Sequence, residues 1–385
     1  MKLSRDLKLL GLALFLWASG EGLFIFVLPV YMSELGATPV QIGQLYAIGA
    51  VATAVSLIPA GWASDRFGPK MGLVSGWAIG AVAGFFFIIA KDIPVFLIGW
   101  ILYRVTAWVI PAISAYTIHG RGGLPPERAL TSVFSMFTAG LILSPTIGGY
   151  IGKYFGLRAN FYIATVMFVI STAVIFLLKH QPPHPAEERA HPAELLTNRR
   201  FIGFMLLVFG IMAVLYMGYE FAPKLLSDVK HIDVGLLGLL GTFNAIGGFA
   251  LNQLLGRRPP RRGLMLAIGL VLIYGVILLQ ASWIGWLMLA YFLRGAYNVT
   301  RALINALVTR IVPPSRFGMA FGITEMVSAG GDIVAPYFAG LLYAATPQMP
   351  FLVMIVLCPI MIVLVWFFAP KGVRVPQTEV VVSAD

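Results

Sequence analysis

Seven ionisable residues interrupt stretches that are otherwise oily: Glu21, Arg104, Glu220, Arg294, Arg301, Glu325 and Asp332. A charge inside a membrane-spanning helix costs ~2.5–3.5 kcal/mol on insertion scales, so each needs a reason to be there. An acid beside a fixed guanidinium can exchange its proton when a cavity opens and its hydration changes. The same pair, permanently ionised, would instead lock two helices together. At ~1.5 Å of rise per residue, Glu21 and Arg104 fall at a common depth of ~21 Å and could pair. Arg294, Asn298, Arg301 and Asn305 follow at steps of four, three and four, a single face of a helix. Glu325, Ser328 and Asp332 also share a face. If these two helices run antiparallel, Arg301 comes level with Glu325 and Arg294 with Asp332. Two stacked ion pairs are therefore expected, either opened by substrate or purely structural. Glu220, between Tyr216, Tyr219 and Lys224, fits a snorkelling rim residue or a cation-attracting gate.

These charges need a membrane scaffold to hold them. The chain has 385 residues, 59% hydrophobic and 11% charged, with a mean hydropathy of +0.88. Soluble chains average ~25% charged, so a soluble globular fold is excluded. A spanning helix takes roughly 20 apolar residues. Apolar runs bounded by charge, proline or glycine fall near 7–32, 39–62, 71–90, 94–118, 129–154 and 159–178. They resume near 201–226, 234–256, 263–281, 283–311, 317–345 and 349–369, numbered one to twelve here in chain order. An all-α membrane protein of twelve helices is expected. It divides into an N-terminal bundle at 1–178, a polar linker at 179–200, a C-terminal bundle at 201–370 and a polar tail at 371–385. A short surface helix is expected around Glu187–Leu196 of the linker. The formal net charge of +11 sits in short turns and not in one patch, which argues against nucleic acid as a partner. Five bases, Lys91, Lys153, Arg158, Lys224 and Lys230, fall in alternate turns, and most of the rest lie in the turns between, which places both termini in the cytoplasm. Cys358 alone supports neither a disulfide nor a thiolate metal site, and no metal or cofactor is expected.

One turn is unusually charged for so apolar a chain. Gly61-x-x-x-Asp65-Arg66-x-Gly68-x-Lys70 joins runs two and three. Glycines permit unusual backbone angles there, and an acid can sit at a helix N-terminus. The halves also repeat weakly. Pro29-Val-Tyr-Met-Ser-Glu recurs as Pro223-Lys-Leu-Leu-Ser-Asp, and Leu124-Pro-Pro-Glu-Arg recurs as Val312-Pro-Pro-Ser-Arg. Gly140-x4-Pro145-x3-Gly149 has its counterpart in Gly331-x4-Pro336-x3-Gly340. The second copy of the charged turn is Gly256-Arg-Arg-Pro-Pro-Arg-Arg-Gly263, without the acid.

The Gly61–Lys70 pattern resembles the signature loop between helices two and three of the major facilitator superfamily of transporters, and the resemblance extends over nearly the whole chain. It implies two pseudo-symmetric six-helix bundles that rock about a midplane site. It implies a latch of Gly61, Asp65, Arg66, Gly68 and Lys70, in which Asp65 meets the start of helix eleven near Gly318 and Arg128 is a possible partner. It implies proton coupling through Glu21 and Arg104, although Ala107 and Trp108 replace the usual Gln-Gly after that arginine. Cavity walls are expected from helices one, four, seven and ten. The residues there are Trp17, Glu21, Phe24, Tyr103, Arg104, Trp108, Tyr216, Tyr219, Arg294, Tyr297, Asn298 and Arg301. Aromatics with a few ionisable groups suit amphiphilic or cationic organic molecules, although each ring is equally suited to face lipid. Gly140-x3-Ser144-Pro145-x2-Gly148-Gly149 resembles the exporter signature of the superfamily, with Ser144 in place of a glycine.

The expected function is thus proton-coupled efflux of a small drug-like or amphiphilic solute by a monomer in a bacterial or archaeal cytoplasmic membrane, in contact with lipid. Uptake or exchange of an organic anion is the alternative, favoured by the three membrane arginines. A membrane enzyme or receptor would need chemistry the chain lacks: no helix-borne His-x-x-x-His, no nucleophile setting and no P-loop.

Overall fold

A computed structural model describes residues 3–181, 197–313 and 316–370, excluding the side chains at 58, 61–65, 127 and 318. Every regular element among them is helical. The first half runs α1 (Arg5–Ile25), α2 (Leu28–Glu34), α3 (Pro39–Phe67), α4 (Pro69–Ile89), α5 (Ile93–Val105), α6 (Val109–His119), α7 (Pro126–Phe155) and α8 (Arg158–Phe176). The second runs α9 (Arg199–Tyr216), α10 (Ala222–Asp228), α11 (Val234–Gly256), α12 (Pro260–Gln280), α13 (Ile284–Arg294), α14 (Ala296–Val308), α15 (Phe317–Ala345) and α16 (Met349–Phe368). Ten helical stretches among the described residues are long and apolar enough to cross a membrane. The broken pair α13–α14 and α15, which carry Arg294, Arg301, Glu325 and Asp332, are not among them. The surface helix expected at Glu187–Leu196 and the tail from Lys371 lie outside the described residues.

Local chemistry sets the helix starts. Asp92 and Asp233 accept the amides of Val95 (3.0 Å) and Leu236 (3.3 Å), and Thr38 with Gln41 forms a capping box. In the charged turn, Gly68 ends α3 and opens α4 at φ +81°, a conformation a side chain would resist.

The halves break their helices at matching places. α1–α2 corresponds to α9–α10, and α5–α6, joined by a 3₁₀ turn at Thr106–Trp108, corresponds to α13–α14. Packing repeats as well: α1 lies against α7 and α8 as α9 lies against α15 and α16. With no water to expel between helices, close packing carries the association. The first half packs an aromatic core in which Phe24, fully buried, meets Phe161 at 4.9 Å and Phe87 at 5.9 Å between ring centroids. Trp17 stacks on Phe168 at 4.3 Å.

Two seams join the halves, α3 with α15 and α7 with α11. Both use the repeated Gly-x4-Pro-x3-Gly motif. A Cβ on Gly340 would lie 2.6 Å from the Pro39 carbonyl oxygen, and one on Gly149 would lie 2.8 Å from the Gly238 Cα. Thr146 and Thr242 share a 2.7 Å hydrogen bond across the second seam, and Thr242 also donates to the Ile142 carbonyl (2.7 Å). The repeated Pro-x3-Ser-acid motif forms α2 and α10, which touch at this same end. There Lys224, only 7% exposed, donates to Ser33 Oγ of the other half (2.6 Å) and pairs with Asp228 (2.9 Å). Tyr343 OH donates to Asp228 as well (3.0 Å).

Each half ties its last helix to its third. Lys70 at the start of α4 donates to the Phe176 carbonyl at the end of α8 (3.4 Å). Arg261 at the start of α12 donates to Val365 at the end of α16 (3.4 Å). A cation is well placed on the spare carbonyls of a helix C-terminus. The second copy of the charged turn therefore keeps this part of the arrangement despite losing its acid.

Candidate functional site

Between the halves lies a cavity of about 1280 Å³. Its walls come from both sides of the molecule and bring together Trp17, Glu21, Tyr103, Arg104, Tyr216, Arg301, Glu325 and Asp332. The lining extends to Leu57, Phe134 and Met319, away from the glycine contacts of the two seams, and Glu325 in its wall is 46% exposed. The cavity is thus open at one end and closed at the end where α2 meets α10.

Arg301 is the centre of the charge network. Its Nη1 meets Glu325 and its Nη2 meets Asp332, both on α15. Tyr297 OH donates to the other oxygen of Asp332 at 2.9 Å and is itself buried behind it. One guanidinium between two carboxylates leaves a formal excess of one negative charge. The pair expected between Arg294 and Asp332 is not formed. Gly295 breaks the helix: its amide bonds back to Phe292 (3.2 Å), and a Cβ on it would collide with the backbone of Gly247 and Gly248 of α11. The tightened turn carries Arg294 off the face of Arg301. Arg294, 3% exposed, lies 3.6 Å from the Tyr219 ring and donates to the Tyr219 carbonyl (2.8 Å), with Tyr291 and Phe26 around it.

Glu21 and Arg104 face the same cavity without an ion pair between them among the described residues. Glu21 sits beside Tyr103, within the field of Arg104. The Arg104 guanidinium lies 5.5 Å from the Trp100 ring, and its Nε donates to the Gly49 carbonyl (3.4 Å). Thr53 of α3 donates to the Arg104 carbonyl (3.2 Å), just before the 3₁₀ turn. Glu220, read from the sequence as a rim residue or a cation-attracting gate, lies half-buried between the halves. It accepts from Tyr216 OH and lies near Arg294 and, across the interface, Tyr46.

Several expected wall residues stand elsewhere. Phe24 belongs to the aromatic core. Trp108 lines a separate apolar groove with Val55 and Pro59 on the outside of α3 and α5, because the 3₁₀ turn rotates it away from the cavity. Tyr219 is stacked on Tyr216 at 5.3 Å and covers Arg294. Asn298 is exposed beside Gly248 of α11. The walls that were missed come from α3, α7 and α15. Their signal was spacing alone: Tyr46, Ala50, Thr53 and Leu57 recur at helical steps on α3, and Met319, Gly322, Ile323 and Met326 do so on α15, in a mixture of sizes and polarity. Of the latch residues, Lys70 is engaged with α8 of its own half, Arg66 lies over Phe67 at 5.6 Å and Arg128 is exposed. Gly68 makes the turn, whereas the surroundings of Gly61 and the side chain of Asp65 lie outside the described residues.

A sequence profile described as Major Facilitator Superfamily matches residues 10–299 and 275–382. The chain belongs to the major facilitator superfamily. It is therefore a membrane transporter and not an enzyme. Multidrug resistance protein 2 of Bacillus subtilis is 25% identical over 353 residues, covering 86% of this chain and 87% of that protein. Quinolone resistance protein NorA of Staphylococcus aureus is 24% identical over 362 residues, covering 90% and 92%. The crystal structure of the nucleoside transporter NupG matches the transporter's fold with a TM-score of 0.76 at 17% identity, covering 95% of this chain and 98% of that one.

Proposed function

We propose that this transporter exports small amphiphilic molecules, neutral or singly cationic, in exchange for protons. The observation that carries the proposal is the charge count of the cavity. Glu21, Glu325 and Asp332 stand against Arg104 and Arg301, one carboxylate in excess, among Trp17, Trp77, Tyr103 and Tyr216. An aromatic chamber with spare negative charge favours a flat, weakly hydrated cation, and a proton taken up by one of its acids cancels that preference. Binding of proton and substrate thus compete, which is what exchange requires. The two relatives named for drug resistance support the direction. The cavity mouth is assigned to the cytoplasm and the α2–α10 end to the outside, in keeping with the distribution of basic residues.

Proteoliposomes loaded with a lipophilic cation provide the test. A proton gradient, acidic on the side toward which the cation moves, should speed its release several-fold, and Glu325→Gln or Glu21→Gln should remove that acceleration. Release indifferent to the gradient would reject proton coupling. A second arrangement, exchange of an organic anion, is favoured by Arg104, which lines the cavity and forms no ion pair among the described residues. Counterflow of an aromatic carboxylate exceeding that of the cation would select it.

The closed end makes a separate prediction. Lys224 is a buried cation held by a hydroxyl from the opposite half, so Lys224→Met should weaken closure at that end. Cysteines placed beside Ser33 and Tyr343 should then label from outside several-fold faster in the variant. Unchanged labelling would show that the end closes without help from Lys224.

A further inference from the structure

We propose that the turn between α11 and α12 binds the phosphate headgroup of an anionic phospholipid. Four arginines, Arg257, Arg258, Arg261 and Arg262, fall within six residues around Pro259-Pro260. No acid pairs with any of them among the described residues. Arg257, Arg258 and Arg262 are exposed.

Arg261 is held differently. Its Nε donates to Val365 at the end of α16, its guanidinium lies 4.8 Å from the Trp366 ring, and its Nη2 is buried without a hydrogen-bond partner. The fork is therefore fixed in place with a donor to spare. Beside it, α12 begins without a side-chain cap, and the first backbone bond at that end is Gly263 N to Pro259 O (2.9 Å). The amides of Arg261 and Arg262 are thus left toward the same turn, at the positive end of a helix. Trp366, Phe367 and Phe368 are all more than half exposed, and such aromatics lie at headgroup depth in a membrane.

Topology alone does not account for this composition. Setting orientation needs positive charge, which lysine supplies as well as arginine. The matching turn of the first half has one arginine, one lysine and an acid: Arg66, Lys70 and Asp65. In the second half every basic residue in the turns on this face between 199 and 316 is arginine, Arg199, Arg200 and Arg310 included. Arginine's planar fork bonds phosphate oxygens in pairs, which the lysine ammonium cannot do. A phosphodiester seated here would join the ends of α11, α12 and α16. Because α11 is a seam helix, the lipid would bear on the movement between the halves.

Native mass spectrometry of the full-length protein in detergent, with equal phosphatidylglycerol and phosphatidylcholine added, tests the site. Wild type should retain phosphatidylglycerol in preference to phosphatidylcholine. R257Q/R258Q should lose that preference by about fivefold for each arginine removed, whereas R199Q/R200Q, with the same charge change, should lose less than half as much on a logarithmic scale. R257K/R258K/R261K/R262K keeps charge and orientation, and should still bind phosphatidylglycerol more weakly than wild type. Equal losses in the two glutamine variants would overturn the proposal in favour of diffuse attraction. So would a melting temperature raised as much by inorganic phosphate as by phosphatidylglycerol, since the ligand would then be a free anion.

Discussion

Arg301→Ala should cut transport sharply and lower stability together. Among the described residues no other cation pairs with Glu325 or Asp332, and removing the guanidinium leaves two carboxylates on one face of α15 without a cation between them. Losing one partner of a buried ion pair costs about 3–5 kcal/mol. Arg301 is 32% exposed by side chain, so water screens part of that and about 2 kcal/mol is expected. A loss of that size in the substrate-competent arrangement corresponds to a fall of roughly thirtyfold in transport. Arg301→Lys keeps the charge and loses the fork, because one ammonium cannot hold two carboxylates in the same plane. It should fold normally and transport slowly. Combining Arg301→Gln with Asp332→Asn and Glu325→Gln should restore the melting temperature without restoring counterflow. Wild-type turnover by Arg301→Ala would remove the network from the mechanism.

Gly238→Val should open the closed end. A Cβ there would press on the Pro145 carbonyl oxygen and fall 2.7 Å from Gly149 Cα and 2.9 Å from its nitrogen. These are backbone atoms, so α7 and α11 must part, with the loss of the Thr146–Thr242 bond between them. Overpacking costs about 1–3 kcal/mol, and here it falls only on conformations in which this seam is shut. The variant should populate the outward-open form, seen as several-fold faster external labelling, with export correspondingly reduced. Gly43→Val at the other seam should behave alike, since its Cβ would meet the Pro336 carbonyl. Gly269→Ala, where the added atom meets nothing within 4 Å, serves as the neutral control. If Gly238→Val melts and labels like wild type, the seams do not set the conformational balance.

The helical architecture was legible because it rests on run length and turn chemistry. Proline, glycine and aspartate mark helix starts whatever the helices pack against, and the described helices follow the apolar runs closely. The repeat motifs also showed which pieces correspond. What spacing could not convey was rotation. Arg294 and Arg301 share a face on an unbroken helix, and the break at Gly295 separates them; Trp108 is turned out by the 3₁₀ turn in the same manner. Depth was readable and facing was not, so Arg301 reaches Glu325 while Asp332 also goes to Arg301. Aromatic rings were hardest, since Trp17 and Phe24 lie seven residues apart on one helix, yet Phe24 is sealed in the core and Trp17 touches the cavity. The α3 and α15 walls escaped notice because their residues, mixed in size and largely apolar, carry no mark that separates a cavity face from a packed one.

Lys70 and Arg261 show how motion is divided in the molecule. Each fastens two helices of its own half at their ends, whereas the seams rest on close backbone contact, the hydroxyls of Thr146, Thr242 and Ser33, and two lysines, Lys224 and Lys153, the latter paired with Asp233 at 3.4 Å. A swing that strains the whole structure evenly would break the former as readily as the latter. With the clasps inside each half and slip planes between them, the halves can turn as blocks, and a substitution that loosens a clasp should blur the stroke without shifting its end points.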